Sequence, residues 1–224
     1  MAVFAPNLTT KMVLSELRKL EIAKDENYLE VGCGSGYITK SLLDEQLLIP
    51  KNVWLSDISP EAIAEAQQQL APYLRLDQLK IGSCLDPWQQ MKFGLIVSDV
   101  AGVADGVAEI SSWYHGVPFH AGDDGLENTL KVLWDARSLL TPTGRLVFPV
   151  LSLSNVTKLR SELAAAFSTV KLTSPVLWPM PEEFINHEHL LIDLIQSGKI
   201  TLVKKFGKYL ASTQVAVCSE VVRD

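Results

Sequence analysis

Two rhythms alternate along the chain. Short unbroken apolar runs predict strands covered on both faces; between them apolar residues recur three and four positions apart, the spacing of a helix with one buried side. The runs fall at residues 28–31, 52–57, 79–84, 93–99 and 145–150, and the helical spacings at 37–48, 62–70, 126–140 and 154–167. Alternation of this kind predicts an α/β domain built on a largely parallel sheet. Met12, Val13, Leu17 and Leu20 place an amphipathic helix over residues 11–20, so the segment 1–24 is expected to cap the sheet. Toward the other end, a strand is expected at 168–176, an inserted helix within 182–198, and strands near 200–205 and 209–219 separated by Gly207. Thr141-Pro142-Thr143-Gly144 reads as a turn and 101–125 as a long irregular loop, of the length that usually carries function. With no repeat and no interdomain linker, residues 1–224 read as one domain.

The first strand runs into Glu30-Val31-Gly32-Cys33-Gly34-Ser35-Gly36-Tyr37. Glycines at alternate positions permit a sharp turn and let a ligand approach bare amides, while the next helix presents its N-terminal N–H groups. A dinucleotide-binding turn would need its third glycine where Tyr37 stands, so the loop is either a cofactor loop of another kind or a plain strand-to-helix turn. Asp57 ends the second strand about 20 residues beyond the loop, the separation at which a carboxylate can accept from both ribose hydroxyls of a nucleotide cofactor. Asp99 ends the most continuously apolar strand, where the ligand crevice of an open α/β sheet lies. Behind it, Trp113, Tyr114, His115, Pro118, Phe119 and His120 stand in the glycine-rich loop, and its aromatic rings are candidates for a wall of that crevice.

The spacing Glu-Val-Gly-x-Gly-x-Gly resembles the cofactor loop of class I S-adenosylmethionine-dependent methyltransferases. The resemblance extends along the chain: Val3-Phe4-x-Pro6-x-x-x-Thr10-x-x-Val13-Leu14 is similar to the N-terminal segment that closes over the cofactor in HemK-type enzymes. Phe93-Gly94-Leu95-Ile96-Val97-Ser98-Asp99, followed by Gly122-Asp123-Asp124-Gly125-Leu126, looks like the HemK/PrmC group of amino-group methyltransferases. Where that group has Asn-Pro-Pro-Tyr, this chain has Asp99-Val100-Ala101-Gly102, which removes a rigid loop and a stacking face. The resemblance implies a Rossmann-like fold with a mostly parallel seven-stranded sheet, helices on both faces and an antiparallel pair of strands near its end. It also implies S-adenosyl-L-methionine as cofactor, with Thr10, Glu30, Gly32, Gly34, Gly36, Asp57, Ile58, Ser83 and Cys84 around it. Within that set Glu30 would hold the ammonium, Asp57 the ribose, and Ser83 would stand where an acid commonly accepts from adenine. Asp99 would orient the acceptor or take its proton. A cofactor-binding module without catalysis, an amino-group methyltransferase acting on nucleic acid, and a nicotinamide dehydrogenase are the other readings.

Composition narrows the partners. A formal charge of −6 gives no general attraction to phosphate backbones, so duplex nucleic acid is disfavoured and a small molecule or flexible protein segment is the expected acceptor. The basic cluster of the chain lies at 199–208. No apolar run reaches the roughly 18 residues of a membrane span, and no charged-then-apolar leader opens the chain, which predicts a soluble, cytoplasmic protein. Cys33, Cys84 and Cys218 are odd in number and widely spaced, the pattern of neither a disulfide framework nor a zinc site. His187 and His189, two apart, would point to different faces of a helix, so no metal ligand set is expected.

Overall fold

The computed structural model describes residues 3–114 and 116–223, so His115 of the aromatic loop lies outside the described residues. Its strands are β1 (Tyr28–Val31), β2 (Val53–Asp57), β3 (Leu79–Ile81), β4 (Phe93–Ser98), β5 (Leu140–Leu151), β6 (Phe167–Leu172), β7 (Val176–Pro179), β8 (Val203–Lys205) and β9 (Lys208–Val221). Its helices are α1 (Leu8–Leu17), α2 (Tyr37–Asp44), α3 (Pro60–Leu70), α4 (Asp105–Ala108), α5 (Glu127–Leu139), α6 (Val156–Ala166) and α7 (Glu188–Gln196). The continuous path through the sheet is β3-β2-β1-β4-β5-β9-β6, parallel from β3 to β5, with β9 running antiparallel to both β5 and β6. The expected Rossmann-like, mostly parallel α/β sheet is therefore present.

Alternation along the strands sorts the core into two layers. Leu29, Val31 and Ile96 face α5 and α6, while Tyr28, Leu95 and Val97 face α1, α2 and α3. A third cluster sits beyond the sheet, where Val103, Val107, Met180, Phe184, Leu191, Leu194 and Ala211 pack together. Loop 101–125 thus contains a short helix and buried apolar residues of its own, so it is less irregular than its glycine content suggests.

Several element ends differ from expectation for local reasons. α1 starts earlier than 11 because Asn7 caps it, accepting the Thr10 N–H at 3.1 Å. α2 stops at Asp44 because Gln46 turns left-handed at φ 59°, with Leu47 N–H bonding back to the Leu42 carbonyl at 2.9 Å. The 141–144 turn is absorbed into β5 as a loop-out, since Phe93 pairs with Leu140 and Leu95 with Arg145. Pro175, without an N–H, separates β6 from β7. The helix expected within 182–198 opens as a 3₁₀ segment (Glu182–His187) before α7. The antiparallel pair that ends the sheet is β9 with β6; β8 is a short strand pairing only with the start of β9, opposite β7, since Leu210 partners both Val203 and Pro179.

Gly125 fastens the third cluster to the sheet. Its φ is +72°, and a Cβ there would lie 2.6 Å from the Ala104 nitrogen and 2.9 Å from Ser154 Cβ. Gly125→Ala is expected to lower stability by more than about 1 kcal/mol, read as a lower urea midpoint at unchanged slope. Gly198→Ala, with the same φ but nothing within 4 Å, should lose less; equal losses would show that backbone strain alone, and not the contact, sets the cost.

Candidate functional site

The parallel strands end together. Val31 lies opposite Ser56 on one side and Ser98 on the other, so the residues following β1, β2 and β4 open onto one edge. Gly32 and Cys33 donate their N–H groups to the Ser56 carbonyl at 2.9 and 3.1 Å. Gly34 N–H donates to Asp57 Oδ2 at 2.9 Å, and Ser59 N–H to Asp57 Oδ1 at 2.9 Å. Ser59 Oγ in turn accepts the Ala62 N–H and caps α3. One carboxylate therefore clips the glycine turn to the start of a helix.

The three glycines of the turn take φ of 69°, 53° and 77°, a region closed to most side chains. They do different work. At Gly32 a Cβ would press on the Asp99–Val100 backbone at 3.0–3.1 Å, and at Gly36 on Leu70 Cδ1 at 2.8 Å; at Gly34 the nearest atom is the Phe4 carbonyl oxygen, 3.9 Å away. Gly34 alone leaves a bare backbone facing open space, as a ligand cradle requires.

That space is a cavity of about 340 Å³, within the range of small-molecule sites. Thr10, Glu30, Gly32 and Gly34 line it, as do Asp57, Ile58, Ser83, Cys84 and Asp99. Gly36 is not on its wall: it starts α2 and packs against α3. Glu30, only 1% exposed, accepts from the Thr39 N–H at 3.1 Å, the Thr39 hydroxyl, and the Tyr28 hydroxyl at 3.4 Å, all on Oε2. Burial nevertheless pushes its carboxyl up to about 8. Asp99 accepts from Thr10 Oγ1 at 2.9 Å, and burial pushes it up to about 6. No lysine or arginine lines the cavity among the described residues.

Rings stack beside the cavity, with Phe4, Tyr114 and His120 on its wall. Phe4 packs on Tyr114 with ring centroids 5.5 Å apart, Tyr114 on Phe119 at 5.9 Å, and Phe119 on His120 at 4.8 Å. Burial and the nearby Asp99 charge push the Tyr114 hydroxyl up to about 12. Asp105 holds the loop from beneath, accepting the Ala121 N–H at 2.9 Å on Oδ1 with His120 Nδ1 3.3 Å from Oδ2. Asn128 donates to the His120 carbonyl at 2.6 Å.

A family model described as "Methyltransferase domain" matches residues 22–214. The chain belongs to the methyltransferase domain family. Residues 22–214 form a methyltransferase domain. Curated relatives named "Bifunctional methyltransferase" include one from Rickettsia typhi, 28% identical over 151 residues, 64% of this chain and 29% of that protein. Another, from Rickettsia conorii, is 30% identical over 131 residues, 55% of this chain and 25% of that protein. The chain thus spans under a third of the length of these relatives. Among solved structures, a ribosomal protein L11 methylase from Lactobacillus delbrueckii subsp. bulgaricus superposes with a TM-score of 0.56 at 17% identity, covering 95% of this chain and 80% of its own. A methyltransferase from Geobacter sulfurreducens, in complex with S-adenosyl-L-homocysteine, gives 0.52 at 13% identity, covering 98% and 94%. At these identities the two share the fold.

Within this methyltransferase domain, sequence reasoning placed the strand-end residues and missed parts of the wall. Asn128 lines the cavity without belonging to any motif read from the sequence, Leu151 reaches it from the end of β5, and His120 was read only as a member of the loop, while Phe4 lies in the N-terminal segment that the resemblance placed over the cofactor. Tyr114 was named as a candidate ring, whereas Trp113 and Phe119 do not line the cavity, Trp113 packing instead on Trp178 and Phe184 in the third cluster.

The raised Glu30 carboxyl links stability to pH. The folded state keeps its proton up to about pH 8 while the unfolded state releases it near the ordinary carboxyl value of 4.5, so stability is fully present below about 4.5 and falls as pH rises through about 8. Glu30→Gln should flatten the decline in unfolding free energy across this window; an unchanged slope in urea titrations at several pH values would assign the decline to other groups.

Proposed function

We propose that this methyltransferase is a HemK-like enzyme of the cytoplasm, passing its methyl group to a nucleophile of a small molecule or a flexible protein segment. The observation that carries the reading is the cavity itself: Glu30, Asp57 and Asp99 stand at three adjacent strand ends with no cationic side chain among them. Three carboxylates without a lysine or arginine suit a ligand that brings positive charge. The similarity of loop and fourth strand supports the subgroup, and three buried unpaired cysteines fit a reducing compartment.

S-adenosylmethionine, when bound, supplies a methyl group already activated by its sulfonium. The chain's residues then hold, align and desolvate. Glu30 takes the ammonium, whose charge displaces the Glu30 proton and leaves a carboxylate held in position by Thr39 and Tyr28. Asp57 takes the ribose: its two oxygens, each already bound to one backbone N–H, keep a second lone pair for hydroxyl donors. Ile58 is largely exposed at the cavity edge and offers an apolar face, with Ser83 and Cys84 across from it on the loop after β3. Thr10 holds Asp99, and Asp99 orients the acceptor, whose other contacts come from the ring wall of Tyr114 and Phe4. Alignment of the acceptor with the bound methyl is the main source of rate in such a site.

Asp57→Ala should weaken S-adenosylmethionine binding by at least about tenfold in calorimetry, which corresponds to about 1.4 kcal/mol. Asp57→Asn, which keeps one acceptor oxygen, should fall between; unchanged affinity in both folded variants would remove Asp57 from the site. Asp99→Asn should keep cofactor affinity and lower turnover, because the cofactor is held by the other strand ends. Mass spectrometry of cell extract incubated with labelled cofactor identifies the acceptor, and undiminished turnover of that acceptor by a stable Asp99→Asn enzyme would reject the orienting role.

A further inference from the structure

The edge of the sheet that carries the methyl cavity also carries a feature that the cavity does not use. Residues 194–219 hold Lys199, Lys204, Lys205 and Lys208 and not one aspartate or glutamate, in a chain whose net charge is −6. β8 and β9 fold over each other at Phe206-Gly207, with φ of 50° and 75°, and the Phe206 side chain is fully exposed. A phenylalanine held left-handed with its ring in water gains nothing from the fold itself. Lys204 is bonded to Glu188 at 2.9 Å and Lys199 to Asp123 at 2.5 Å, whereas Lys205 and Lys208 have no acid partner among the described residues. At the foot of the hairpin lies a second cavity of about 150 Å³, lined by Met180, Phe184, Lys208 and Tyr209 among others, room for a single apolar side chain.

Its direction ties this surface to the site. β9 is antiparallel to β5 and so begins at the edge where β1, β4 and β5 end; it runs on past Ser212, whose carbonyl takes the Ser152 N–H at 2.9 Å. The third apolar cluster joins the hairpin's foot to the loop after β4, through Met180, Phe184 and Ala211 on one side and Val103 and Val107 on the other.

We propose that the hairpin tip and the small cavity form a docking surface for an acidic protein segment, which places an acceptor group of that same protein at the methyl cavity. This rests on the reading of the chain as a methyltransferase with a protein acceptor. An apolar side chain of the segment fills the 150 Å³ cavity, its carboxylates meet Lys205 and Lys208, and Phe206 packs on its apolar surface. A phosphate backbone fits this surface less well, because it has no apolar side chain to place against Met180, Phe184 and Tyr209 in the small cavity.

Fluorescence anisotropy tests this with two labelled peptides of alternating aspartate and glutamate, one around a central leucine and one around alanine, and with an oligouridine of similar length. The leucine peptide should bind the whole chain, bind more weakly as salt is raised, and lose at least about tenfold in affinity to Phe206→Ser and to the double variant Lys205→Ser/Lys208→Ser. The alanine peptide should bind more weakly than the leucine peptide. Both variants change exposed positions, and circular dichroism checks that they fold. S-adenosylmethionine affinity by calorimetry should be the same in all three proteins, so failure of cofactor binding would strike the methyltransferase reading and not this surface. No leucine-peptide binding at millimolar concentration, equal binding by the variants, or tighter binding of oligouridine would overturn the proposal.

Discussion

Three carboxylates at one cavity rim, with no lysine or arginine among the described lining residues to answer them, are the constraint around which this structure is arranged. Each needs compensation of another kind. Asp57 takes two backbone N–H groups, Glu30 takes the first turn of α2 through Thr39, and Asp99 takes the Thr10 hydroxyl of α1. These donors are neutral dipoles, which offset burial only in part, so burial raises the carboxyls of Glu30 and Asp99. The site therefore retains affinity for positive charge, and a sulfonium with an ammonium on the same molecule brings it twice.

The same compensation explains why the helices sit where they do. α2 must present Thr39 to Glu30, so it leaves the turn immediately, and Gly36 in the left-handed region makes that exit possible against Leu70 of α3. α1 reaches Asp99 across the sheet edge, 89 residues away in sequence, with Asn7 setting its start. A bond of such long separation closes a large loop, and it becomes worthwhile because the apolar face of α1, Val13, Leu14 and Leu17, is buried on the sheet in any case. Thr10 then needs no folding energy of its own to be positioned.

The sheet and the strand-end acids were legible in the sequence because both follow from local rules: buried parallel strands are continuously apolar, and ligand sites lie at their carboxyl ends. The glycine turn was legible as a turn, yet only the packing shows that Gly36 meets Leu70 while Gly34 meets open space. Asn128 and Leu151 come to the cavity from separate parts of the chain, and nothing at the level of spacing marks them as neighbours. The mispaired end of the sheet has a similar cause. Two strands separated by a glycine read as a hairpin, and 203–205 does pair with 208–210; but β9 continues for 14 residues and its longer remainder finds β5 and β6, where more apolar surface is buried.

The distribution of charge over the carboxyl edge carries the last step. Acids gather where β1, β2 and β4 end, and lysines gather where β9 begins, on the far side of β5. Screening over about 8 Å at physiological salt keeps the field of each zone local. A small cationic cofactor is attracted to the first zone and excluded from the second. A larger acceptor that carries negative charge away from its nucleophile meets the opposite field at each zone, which favours one orientation over its reverse before any short-range contact forms. Packing between the two zones passes through Val103, Val107, Phe184 and Ala211, a cluster dense enough to keep their separation fixed. Under the proposed docking, orientation of the acceptor follows from the placement of the two zones, and the Val100-Ala101-Gly102 segment after Asp99 has less of that work to do.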